Sequence, residues 1–451
     1  MGQPASIEDA PWSPFLVRMV SMNLVSYLAV GYVFGALAIV MGSVSDDYGV
    51  SAGWKGLLTA GALIGIFFGA LLGSWLADKL GRHGVLMTAL LVTAAASFAY
   101  LLVWDKVSFL VLRILVGVGV GTILSIAAPL LSEFSPRKRR SSLLSNLNVV
   151  WMVGFLIAYY GALFLGDHVS WKWVLATAFL PMLVAFVLGL RAPESIRWLA
   201  SKGRVDEARA LVKRHYGADY DVGDLTAESN KRISYRVLFG SKYRARTAFS
   251  VIFYTAQVSV FFAVYLFLPE VLDGLRLGQG NFAYGLVDAL TLVAMIVGVW
   301  LCARLPRRGW VIWSFWICAA ASAVLGLTLP IPVAFVVFLV FIFVLNAASN
   351  LEFVYPPELF PTEVRASGQG ITVAGARIGS VLSTWVFPSL LLAVGISWTM
   401  VIFGGVCAIG AIASHLWAPE TRDLTLLEAS GVAGERRLQE KAASEPSLQE
   451  A

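Results

Sequence analysis

The chain has 451 residues, of which 58% are hydrophobic and only 14% charged, with a formal net charge of +6. A water-soluble domain is nearer half apolar and a quarter charged, and a chain of this length could not hide so much apolar surface in its core. Lipid is the expected solvent for most of it, which excludes a soluble enzyme and makes a nucleic-acid partner a poor explanation of the basic excess.

Apolar runs long enough to cross about 30 Å of hydrocarbon fall at 18–44, 55–77, 84–104, 107–131, 142–165 and 171–190. After a polar stretch they resume at 246–269, 281–303, 309–329, 332–355, 367–393 and 396–417. The first run is longer than a signal peptide and no cleavage site follows it. With the N-terminus in the cytoplasm, 28 of the 34 Lys and Arg residues fall on the cytoplasmic side and four on the other, with Arg113 and Arg377 inside spans. That skew obeys the positive-inside rule, so the basic charge reports topology. The expected organisation is a cytoplasmic N-terminal tail (1–17), a six-helix bundle (18–190), a cytoplasmic loop (191–245), a second six-helix bundle (246–417) and a cytoplasmic, disordered tail (418–451). Within the loop, Val205, Ala208, Leu211 and Val212 recur at helical spacing and predict a short amphipathic helix.

The three cysteines (Cys302, Cys318, Cys407) lie in apolar runs and imply no disulfide framework. The four histidines have no metal-ligand spacing, and no catalytic set of Ser/His/Asp or Cys/His type is present. No cofactor is expected.

An internal repeat is written in the loops. Glu133 to Arg140 reads E-F-S-P-R-K-R-R, and Glu358 to Arg365 reads E-L-F-P-T-E-V-R, with Glu, Pro and Arg at the same offsets. The sixth run ends in A-P-E-S (192–195) and the twelfth in A-P-E-T (418–421). Two motifs recurring in order at matching separation indicate a duplicated six-helix unit. Both copies begin on the same side of the membrane, and a parallel repeat of this kind places a solute path on the axis between the halves.

At these residues the chain resembles the major facilitator superfamily over nearly its whole length. The loop G-S-W-L-A-D-K-L-G-R-H (73–83) is similar to the signature between the second and third helices. Arg113 followed by Gly117, Gly119 and Gly121 resembles the fourth-helix motif, and P-E-S-I-R-W-L-A-S-K-G-R (193–204) resembles sugar-porter-like branches that include metabolite and organic-acid symporters. The resemblance implies an all-α membrane protein with twelve transmembrane helices in two six-helix bundles related by a pseudo-twofold axis. It also implies a cytoplasmic ion network of Asp78, Arg82, Glu133, Arg140, Glu194, Arg197, Glu358, Arg365 and Glu420 that holds the halves together facing outward. Asp78 is expected to pair with Arg82 and to cap a neighbouring helix.

Three departures from the family pattern narrow the expectation. The second-half counterpart of the signature loop reads C-A-R-L-P-R-R-G (302–309), with Ala303 or Arg304 where an acid is expected, so half of the network is weakened, or relies on Glu358 and Glu420 pairing with Arg304, Arg307 or Arg308. The seventh span holds Gln257 without the paired glutamines of hexose carriers, which disfavours a sugar. The fifth lacks the Gly-Pro pair of drug/proton antiporters, which disfavours drug export.

Ionisable groups inside spans are costly and are functional candidates. Arg113 and Arg377 suggest binding of an anionic solute, because guanidinium groups take carboxylates bidentately. A structural ion pair is the alternative. Asp288 and Glu352 are candidate proton carriers, or fixed partners of a buried arginine, and the first span has no acid. Tyr27, Tyr32, Trp151, Tyr254, Gln257 and Tyr265 complete a candidate substrate pocket. The expected function is alternating-access transport of a small organic metabolite by a monomer in a bacterial inner membrane, as proton-coupled uptake of an organic acid. The alternatives are an uncoupled facilitator, a carrier of organic cations or drugs, and a solute sensor that does not transport.

Overall fold

The computed structural model describes residues 5–6, 12–166, 168–217, 220–221, 235–241, 243–277, 281–327, 329–360 and 365–422. The expected disordered tail therefore lies outside the described residues beyond 422. Among the described residues, eleven helices are long and apolar enough to cross a membrane. The last of them, Arg365–Trp417, is two helices joined at Gly395, whose φ of 74° is non-helical. Only glycine adopts that conformation without steric cost, so the helix breaks there, and counting its two parts separately gives twelve spans.

Helix starts follow local chemistry. The first span (Pro14–Tyr48) has Pro14 at its first turn and Ser13 as N-cap, whose hydroxyl accepts from the Leu16 N–H at 3.2 Å. The fourth (Lys106–Phe134) starts from a reciprocal capping box between Asp105 and Ser108. Several spans are broken: the sixth runs as Trp171–Ala176 and Phe179–Gly189, the seventh continues past Tyr265 as the short helix Leu268–Gly274, and the tenth as Leu351–Leu359.

Contacts group the chain into two units. One takes in residues 1–230 with 261–292 and 380–399, and the other 231–260, 293–379 and 400–451. In the first unit, the first span packs on the fifth (Arg137–Gly166) and the second (Ala52–Leu80) on the fourth through glycines. A Cβ at Gly31 or Gly154 would overlap a backbone carbonyl of the facing helix, Trp151 and Leu28 respectively, and Gly65 and Gly117 stand in the same relation across the second and fourth spans. These helices meet backbone to backbone, as small-residue stripes permit in lipid.

The amphipathic helix predicted in the central loop is present as Val205–His215, with Ala208 and Val212 buried. Asp206 and Glu207 occupy its first turn and Lys213, Arg214 and His215 its last, which suits the helix dipole. The His215 ring stacks on Phe15 at 4.1 Å. A two-residue parallel bridge pairs Ala5–Ser6 with Tyr220–Asp221.

Candidate functional site

The repeated loop motifs fold into two matching carboxylate networks, each inside its own half. In the first, the third span begins at Arg82 with Gly81 before it. Its exposed N–H groups are capped by Glu194, which accepts from the backbone of Arg82 at 2.8 Å and of His83 at 3.0 Å. Gly81 has φ 110°, and a Cβ there would strike the Glu194 carboxylate, so glycine is required on both counts. Glu133 receives the Arg82 guanidinium and the Ser195 hydroxyl. In the second half, the ninth span (Arg307–Leu325) is capped by Glu420, which accepts from the backbone of Arg307 at 2.9 Å and Arg308 at 3.1 Å. Glu358 takes the Thr421 hydroxyl at 2.6 Å and pairs with Arg307 at 3.5 Å.

One expectation is corrected by this geometry. The cap of the third span is Glu194, from the end of the sixth, and not Asp78, which lies close enough to act on the Arg82 charge while its backbone carbonyl accepts from the Trp198 indole. The described hydrogen bonds of Glu133, Glu194, Glu358 and Glu420 tie loops together within a half. Arg197 lies near enough to Arg82 to act on its charge. The side chains of Arg140 and Arg365 lie outside the described residues.

Within the second unit, three of the candidate site residues come together. Glu352 lies near enough to Arg377 for the guanidinium to act on its charge, and within hydrogen-bonding reach of Tyr254. Gln257 lies almost one turn beyond Tyr254 on the seventh span and is buried, its side-chain N–H donating to the Leu345 carbonyl at 2.6 Å. Glu352 and Arg377 are both only partly covered, unlike their buried neighbours Leu351 and Ala376. A guanidinium, a carboxylate and a phenol thus share one partly accessible place.

Within the first unit, Trp151 belongs to an aromatic cluster with Phe34, Phe155 and Phe261, at centroid distances of 6.2, 5.8 and 6.0 Å. Tyr265 stacks on Phe261 at 4.6 Å and its hydroxyl bonds to Thr291. Tyr27 is buried in the first span, and Tyr32 is engaged inside the first bundle, its hydroxyl 2.9 Å from that of Thr177. Arg113 is fully buried near Tyr100 and Gly61, with no partner for its Nε and one Nη. Asp288 is buried and accepts from the Tyr160 hydroxyl at 2.8 Å.

The sequence reading missed Tyr160, Glu270 and Lys55. Lys55 and Glu270 form an ion pair at 2.7 Å beside a cavity of about 270 Å³ lined by Ala52, Phe267, Phe387, Pro388 and Leu391. Nothing in the local spacing separates Tyr160 from the many aromatics of the spans. Ser195 and Thr421, by contrast, stand inside the repeated A-P-E-S/T motif and were legible from it.

A family model described as "Sugar (and other) transporter" matches residues 19–432. The chain belongs to this family. It is therefore a membrane transporter of the major facilitator superfamily and not an enzyme. It is 33% identical to the inner membrane metabolite transport protein YgcS of Escherichia coli, over 96% of this chain and 97% of that protein. It is 28% identical to the niacin transporter NiaP of Acinetobacter baylyi, over 86% and 90%. The inward-open structure of the E. coli xylose transporter XylE superposes with a TM-score of 0.77 at 19% identity, covering 92% of this chain and 99% of that one. That likeness fixes the twelve-helix, two-bundle fold.

Proposed function

We propose that the chain carries out proton-linked uptake of a small organic carboxylate by alternating access, with both termini in the cytoplasm of a bacterial cell and the inner membrane around it. The observation that carries this reading is the meeting of Arg377, Glu352 and Tyr254 at one partly covered place in the second half. A guanidinium takes a carboxylate bidentately, and an aromatic hydroxyl nearby suits the wall of such a pocket. One guanidinium cannot be shared equally by two carboxylates, so Glu352 and an incoming solute compete for Arg377. Protonating Glu352 hands Arg377 to the solute, and this exchange links one proton to one anion. The relative named a niacin transporter supports the class, since niacin is a small aromatic carboxylate. Gln257 is committed to a backbone carbonyl, which supports the view that it is not a sugar-reading amide.

The test is counterflow of radiolabelled nicotinate and other small monocarboxylates in proteoliposomes, with external alkalinisation followed on adding solute. Saturable counterflow that disappears in Arg377→Ala, with alkalinisation lost in Glu352→Gln, is the expected result. Counterflow of organic cations alone would overturn the anion reading, and solute binding without counterflow would favour a sensor.

A further inference from the structure

Asp288 and Tyr160 stand at equivalent depths on facing helices. Asp288 is seven residues past the start of the eighth span (Asn281–Arg304), and Tyr160 is six residues before the end of the fifth at Gly166. Both lie towards the face opposite the termini, within one contact unit although they come from different halves of the sequence repeat. The Tyr160 hydroxyl donates to Asp288 Oδ2 at 2.8 Å. Asp288 is 2% exposed and its Oδ1 has no hydrogen-bond partner. The Tyr159 hydroxyl, on the same stretch of the fifth span, is likewise buried without one.

The titratable neighbours are acidic or phenolic. Tyr159 and Tyr160 face Asp288 from the fifth span, and Tyr284 stands one turn before it on its own helix, its ring 6.1 Å from that of Tyr159. From the short helix after the seventh span, Glu270 acts on Tyr159 and Tyr284, and Asp273 on Tyr284. Glu270 is paired with Lys55. Among the described residues no basic group forms an ion pair with Asp288. An ionised carboxylate enclosed in lipid-bounded protein with one hydrogen bond and no counter-charge is costly. The same group in water is not.

We propose that the Tyr160–Asp288 contact is a proton-operated latch on the outer side, in which Asp288 takes up one proton as the outer ends of the fifth and eighth spans close over it. The vacant Oδ1 is the atom that receives the proton, while Oδ2 keeps the Tyr160 hydrogen bond. Opening exposes the carboxyl group to external water and returns the proton. The latch deepens the alternating-access reading above and rests on it, but it assigns the outer proton step to a residue distinct from the Arg377–Glu352 pair.

The experiment needs no solute, so its failure leaves the carboxylate reading standing. Spin labels are placed on Val169→Cys, just past the fifth span, and Leu286→Cys, near the start of the eighth, both exposed and within the same unit, in a background with the three native cysteines replaced by serine. Distances are measured by pulsed dipolar spectroscopy in lipid nanodiscs between pH 5 and pH 9. The wild type is expected to move from a short to a long distance population as the pH rises. Asp288→Asn is expected to stay in the short population at every pH. Tyr160→Phe keeps the acid and loses the hydrogen bond, so it retains the pH dependence with a closed-to-open ratio about five-fold lower. A wild-type distance independent of pH overturns the proposal. So does an Asp288→Asn protein, monodisperse by size exclusion, that titrates like the wild type.

Discussion

The Glu194 carboxylate sits across the first turn of the third span and accepts from the backbone N–H of Arg82 at 2.8 Å. Glu420 holds the same relation to Arg307 at 2.9 Å, so the capping carboxylate is part of the duplicated unit. This accounts for the second half tolerating Ala303 and Arg304 in place of an acid. The cap never came from that position. It arrives from the A-P-E segment 112 residues further on, at Glu194 in the first half, and from the matching segment in the second.

Removing the cap should therefore destabilise each half separately. Glu194→Ala strips three backbone N–H groups, those of Arg82, His83 and Ser195, of their acceptor and should cost about 1–3 kcal/mol. Glu194→Gln keeps one acceptor oxygen and should lose less. Glu420→Ala should produce a comparable loss confined to the second half. Thermal unfolding in detergent, monitored by size exclusion, checks the order of the three variants.

Glu358 provides a pH dependence outside the spans. Burial raises its carboxyl above the ordinary range, outweighing the opposing influence of the Thr421 hydroxyl and of Arg307. The folded state thus binds this proton more tightly than the unfolded chain does. The stability it contributes is present below the ordinary glutamate value and is lost as the pH rises through the raised value. Melting temperature should fall as the pH climbs above about 4.5, and Glu358→Gln should flatten that part of the profile.

The backbone contacts of the first bundle make a sharp pair of substitutions. Gly31→Ala places a methyl group onto the Trp151 carbonyl and should abolish monodisperse expression, because two backbones would have to separate. Gly42→Ala, on the same helix with nothing within 4 Å, should leave expression unchanged. Fluorescence-detected size exclusion of tagged variants reads both.

Arg113 makes a different case. A guanidinium buried with partnerless nitrogens is a stability cost that an apolar side chain of similar length would relieve. Arg113→Met should melt no lower than the wild type. A large drop would show that the charge is compensated by a partner acquired in another conformation.

Much of the fold was legible because lipid imposes it. Twelve apolar runs follow from the need to satisfy backbone groups inside a bilayer, the Lys and Arg skew follows the positive-inside rule, and the paired E-x-x-P and A-P-E motifs follow from the duplication of one unit. The site was legible only in part. Arg377 and Glu352 announce themselves by charge in an apolar setting, whereas Tyr160 is one aromatic among many and gains meaning only when Asp288 is brought beside it. Arg113 looked equally promising by the same test of charge, and its helix turns it into the first bundle towards Tyr100. Intrahelical spacing cannot reveal which neighbour a side chain will face. The role given to Asp78 failed for a related reason: a cap is donated by whichever chain passes the helix end, and that chain is remote in sequence.

The single-residue break at Gly395 bears on how this transporter is handled. With the eleventh and twelfth spans joined at a single residue, that junction offers no stretch of chain for an epitope, a protease site or a fluorescent insert. Reporters intended for that face have to be carried elsewhere, such as the segment between the fifth and sixth spans.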